Sequence, residues 1–212
     1  MDRADEIAAL GARAREAFDD KHRAREVMLA ASRKAIQACA ASIRATHRGE
    51  YDAAERLAHE ARDHVAEADS AIEKHADVRA NGPLMDAKKE LAEAWLTLAF
   101  VRDETLPTPD DLRVDIAPYC NGLAEAASEL RRQLLDRLRA GDNARAEQLM
   151  SAMDEVYSML VTIDYPDGVT GGLRRTTDQL RAVLERTRGD LTTAMVAARL
   201  QAALGAARDA MS

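Results

Sequence analysis

Nowhere in this chain do apolar and polar residues alternate in the two-residue period of a half-buried strand, and no window is rich in Val, Ile and aromatics. That absence confines the chain to an all-α fold. Ala, Leu, Glu and Arg dominate, and all four are good helix formers. Glycines punctuate the helical pattern. Gly49 follows Thr46-His47-Arg48, Gly141 follows Arg137-Leu138-Arg139-Ala140, and Gly189 follows Arg186-Thr187-Arg188. A glycine just past a basic last turn stops a helix, because it accepts a left-handed conformation while the cations meet the negative helix end. Gly82, which follows Arg79-Ala80-Asn81 and precedes Pro83, reads the same way. Asp142 and Asp190 then stand as N-caps, and Thr108-Pro109 reads as a cap with proline at the first helical position.

These signals predict helices near 3–47, 50–79, 84–104, 115–140, 142–163, 170–188 and 190–210, a short turn at 108–113 and a possible break at Gly11. The irregular stretches are too short for an interdomain linker, so residues 1–212 are expected to form a single domain. No apolar run approaches the length of a membrane span, and the charged N-terminus does not resemble a secretion signal. Cys39 and Cys120 supply neither a disulfide framework nor a metal cage, and a reducing cytoplasm is the expected location.

The net charge of −7 is unusual for a nucleic-acid-binding protein, but it hides an asymmetry. Residues 21–48 carry seven Lys and Arg against Glu26 alone, whereas residues 49–80 carry nine acids against four bases. The first segment could face a polyanion; the plainer reading is that both coat helices.

The third expected helix carries the sharpest chemistry. A step of about 100° per residue puts Asp86, Glu90, Glu93 and Thr97 on one stripe, with Leu91, Trp95 and Leu98 opposite. Its second half is apolar nearly all round, the mark of a buried helix. On the fourth helix Leu123, Ala127, Leu130, Leu134 and Leu138 form an apolar face, and Glu125 and Glu129 lie one turn apart on the other. Glu129 is placed to pair locally with Arg132 or Gln133. Carboxylate pairs on neighbouring helices are the oxygen donors that Mg²⁺ requires, although glutamate-rich helices are common without it. Other chemistries lack their residues. None of the five histidines has Glu three positions before it, as a ferritin-like di-iron site needs, and there is no Walker loop or nucleophile elbow. The histidines read as surface or capping groups and the cysteines as small buried ones. Gly171-Gly172 before Arg174 reads as a helix entry or an anion site.

At these residues the sequence resembles the family of translin and translin-associated factor X. Tyr119-Cys120-Asn121-Gly122-Leu123 through Glu125 to Glu129-Leu130 is similar to a signature helix of that family, with Pro118 where the family has Asp. Gly141-Asp142, Leu173-Arg174-Arg175, Arg188-Gly189, Ser32-Arg33 and His47-Arg48 also match family positions. Glu90-Leu91-Ala92-Glu93-Ala94 resembles the Glu-x-x-Glu-Ala of the catalytic, translin-associated factor X branch. The resemblance implies a curved bundle of about seven antiparallel helices and a homo-octameric shell with interior sites. It also implies that Glu90, Glu93, Glu125 and Glu129 hold Mg²⁺ or Mn²⁺, which activates water to cleave single-stranded RNA. Glu125 stands where animal members carry Asp. Arg33, Lys34 and Arg48 are the candidates for gripping RNA phosphates. With only seven aromatic residues in the chain, base stacking would contribute little. The alternative is a translin-type protein that binds single-stranded RNA or DNA without cutting it.

Overall fold

The computed structural model describes residues 2–79 and 82–211, and the described residues are helical with no strand. Six long helices are joined by short connections: α1 (Arg3–His47), α2 (Tyr51–Ala71), α4 (Gly82–Arg102), α6 (Ile116–Arg139), α7 (Asn143–Leu160) and α9 (Leu173–Ala210). Three single turns interrupt them: α3 (Ala76–Arg79), α5 (Pro109–Leu112) and α8 (Asp167–Thr170). The central pair is α4 and α6; α4 packs on α1 and α2, while α6 packs on α7 and α9. As its all-round apolar sequence requires, α4 buries Leu84, Leu91, Leu96, Leu98 and Val101 together with Lys88 and Glu93.

Local signals explain most boundaries. Gly49 and Gly141 take positive φ after α1 and α6, and Asp142 accepts the Arg145 backbone N–H as the cap of α7. Thr108 caps α5 with Pro109 behind it. Several of these local expectations are corrected. Gly189 does not stop a helix, because Leu184 and Leu191, seven residues apart, are both buried in one cluster and carry α9 straight through. Asp190 is accordingly no N-cap; it accepts a hydrogen bond from Arg131 of α6 at 2.7 Å. Gly11 leaves α1 unbroken, and the expected helix 50–79 breaks after Ala71, where buried Ile72 is drawn into a cluster with Met28, Val78 and Leu84. Gly82 opens α4, while Ala80 and Asn81 lie outside the described residues.

Two arms leave the packed body. Before Met28, α1 carries Ile7, Leu10 and Phe18 exposed; after Leu191, α9 carries Val196, Leu200 and Leu204 exposed at four-residue spacing. Among the described residues no helix is long and apolar enough to cross a membrane.

Candidate metal centre

The site lies where α6 crosses α4. Gly122 sets the separation: a Cβ there would come 2.6 Å from the Lys89 carbonyl oxygen and 2.9 Å from the Glu93 nitrogen. Only glycine allows that approach, and it presses the helix bearing Glu125 onto the turn bearing Glu90 and Glu93. One carboxylate oxygen from each of these three glutamates lies within 4.8 Å of the others. Glu93 is buried at the bottom, with Glu90 and Glu125 half-buried beside it. Burial, then the charges of Glu90, Glu125 and Glu129, and a hydrogen bond shared with Glu125, push Glu93 up to about 9. Glu90 is also raised, chiefly by burial, although Lys89 partly offsets this. Beneath them the buried Cys39 thiol is pushed up by burial and by the charges of Glu90 and Glu93, so it is an inert floor. Three hard oxygen donors with an unrelieved excess of negative charge suit a divalent cation such as Mg²⁺ or Mn²⁺.

The fourth expected ligand, Glu129, is not in this tight group, nor does it pair with Arg132 or Gln133. Its Oε2 lies 2.6 Å from Nε2 of His47, at the end of α1. Gln133 Nε2 lies 3.3 Å from Nδ1 of the same ring. With the amide donating to Nδ1, the ring carries its proton on Nε2 and donates it to Glu129. The His47 side chain is only 3% exposed, which corrects the expectation of a surface group. Lys89 is the other residue sequence reasoning passed over. Its ammonium lies 2.9 and 2.7 Å from the two oxygens of Glu125 and 3.4 Å from Glu90. Burial disfavours that charge, but Glu125 and Glu90 together outweigh burial and hold Lys89 above its ordinary value.

No protein-family model matches the chain. It is 29% identical over 179 residues to an uncharacterised protein of Methanocaldococcus jannaschii, spanning 82% of this chain and 78% of that one. Two structures of AfC3PO, one of them a complex with duplex RNA, share 30% identity with it. They cover 87% of this chain and 96% of theirs, with TM-scores of 0.81 and 0.79. The chain belongs to the translin (C3PO) family. The fold of apo-NeC3PO agrees, with a TM-score of 0.76 at 16% identity over 92% of this chain.

For a translin-family chain, the basic candidates are placed unevenly. Arg33 and Lys34 are exposed on α1, and by helical rise Lys34 lies ~20 Å along the axis from His47. Arg33 is turned back onto the Leu29 carbonyl, and Arg48 is held by Glu50 at 2.7 and 2.8 Å. None of the three is hydrogen-bonded to the carboxylates in the structure. Trp95 is flanked by Arg62 and His59, each at 4.9 Å, so the single tryptophan already has partners on α2.

Proposed function

We propose that this translin-family protein is a metal-dependent endoribonuclease of the translin-associated factor X type, cutting single-stranded RNA. The observation that carries this is the convergence of Glu90, Glu93 and Glu125 around a buried carboxyl group at the Gly122 crossing. Those three residues would hold Mg²⁺ or Mn²⁺, with Glu129 completing the negative field from its place on His47. When bound, the ion supplies charge neutralisation and water activation at the phosphodiester. The protein's own part is to hold the oxygens together, keep Glu93 out of bulk water and fix Glu129 through the histidine. Basic residues of α1, with Arg33, Lys34 and Arg48 as candidates, would guide phosphates toward the site.

We place the working form as a homo-octamer. The apolar stripes of the two arms support it, since a lone subunit would leave them to water. Enclosure would favour flexible single strands over stiff duplex, whereas AfC3PO has been seen with duplex RNA. Matched single- and double-stranded RNAs, incubated with Mg²⁺, with Mn²⁺ and with EDTA, test the reading alongside light scattering. Cleavage of the single strand that stops in EDTA is expected, from a particle near eight times 23.2 kDa. Cleavage persisting in excess chelator would overturn the metal mechanism, and equal cutting of both RNAs by a monomer would overturn the enclosed site. A second reading is a protein that binds single-stranded RNA or DNA without cutting it, and the ammonium of Lys89 seated on Glu125 favours it. No cleavage with either metal, but retained binding, would establish that reading.

A further inference from the structure

Lys89 occupies the mouth of the carboxylate cluster in a particular way. Its ammonium meets both oxygens of Glu125, at 2.9 and 2.7 Å, and reaches Glu90 at 3.4 Å. These are two of the three glutamates whose oxygens converge within 4.8 Å. A protein cation and a divalent ion would therefore compete for the same oxygens, and held together at contact distance they would repel. The helix offers the ammonium somewhere else to go. Lys89 also lines a cavity of about 300 Å³ with Met85, Asp86, Ala117, Asn121 and Val169, and neither Glu90 nor Glu125 lines it. A four-carbon stem can swing its head from the glutamates into that cavity by rotamer change alone, with α4 fixed.

We propose that Lys89 is the resident counter-cation of this cluster, which a divalent ion must displace before the site is loaded. This rests on the metal reading above. It goes beyond that reading by assigning a residue that sets the threshold for metal occupancy. Before loading, the ammonium lets three crowded carboxylates coexist; on loading, it leaves Glu125 and turns toward the cavity and Asp86. The fold thus trades one built-in positive charge for two external ones, and affinity for the metal is lower than the carboxylates alone would give.

The test is calorimetric titration of Mn²⁺ into the full-length protein and into Lys89→Gln and Lys89→Arg, without RNA and at fixed pH. Lys89→Gln removes the competing charge and is expected to bind Mn²⁺ about tenfold more tightly. Its metal-free melting temperature should fall and its rise on adding Mn²⁺ should exceed that of the wild type. Lys89→Arg keeps the charge and should stay within about threefold of wild-type affinity. Equal or weaker Mn²⁺ binding by Lys89→Gln, with helical content unchanged by circular dichroism, overturns the displacement role and leaves the metal reading standing. Absence of Mn²⁺ binding by all three proteins overturns both.

Discussion

Lys88 and Lys89 are neighbours on α4, and both face carboxylates, yet their burial and their partners differ. Lys88 is almost wholly enclosed, its side chain 2% exposed, and lies 2.8 Å from Asp69 of α2 and 3.0 Å from Asp115 at the start of α6. There one buried cation is shared between two carboxylates that keep some contact with water, and the trio ties three elements together. Lys89, one residue on, faces Glu90 and Glu125 with Glu93 buried behind them. That cluster gathers three carboxyl groups around one lysine, and burial, followed by the charges of its neighbours, raises Glu93. An enclosed lysine between two carboxylates ties helices together; a part-exposed lysine among three leaves carboxylate oxygens that an ion could take.

Substitutions on the two sides should separate these roles. The largest effect is expected from Glu90→Gln or Glu125→Gln, which keep shape and remove ligand charge. Cleavage should fall more than about a hundredfold with helical content unchanged by circular dichroism. Full activity in Glu125→Gln would remove that residue from the site. Lys88→Met should do the reverse, lowering stability in urea by about 2 kcal/mol. That figure sits below the usual cost of a broken buried pair because Asp115 keeps its hydration, and metal affinity of the folded fraction should be preserved.

Glu93 predicts a pH signature for the metal-free protein. Its folded value of about 9 exceeds the ordinary 4.5, so the folded state holds the proton more tightly than the unfolded one. The stability contribution is complete below 4.5 and is lost as pH rises toward 9. Melting temperature should drop by about 5 °C between pH 6 and pH 9 from this group, and Glu93→Gln should flatten that slope. A metal held at the proposed site would displace the same proton, so Mn²⁺ affinity should climb over the same interval. The smallest effect is expected at His47. His47→Phe keeps a ring but releases Glu129, and Mn²⁺ affinity measured by calorimetry should weaken about tenfold.

The helix-forming pattern is legible in the sequence because it is local. Gly49 and Gly141 mark real stops, and Thr108-Pro109 starts the short α5 as its chemistry requires. Gly189 carries the same local signal and means nothing of the kind, since burial of Leu191 outweighs it. The carboxylate stripe of α4 is equally legible from its three-residue spacing. What spacing cannot give is which glutamate of α6 turns toward it. Gly122 brings Glu125 in, while Glu129 goes to a histidine 82 residues away in sequence. One local hint of that histidine exists. Cys39, Ile43 and His47 recur every four residues, so His47 ends a row that faces inward. Lys89 leaves no such trace, because a lysine between Lys88 and Glu90 looks like any solvated helix face.

The 45-residue span of α1 has a mechanical consequence. In its outer third the helix presents Phe18 to solvent; at its C-terminal end it holds His47 against Glu129. By helical rise these points lie ~43 Å apart on a single unbroken rod. The inner half is clamped from Met28 onward, so the exposed arm is a fixed lever: a surface that seated it would stand at a set distance and bearing from Glu129.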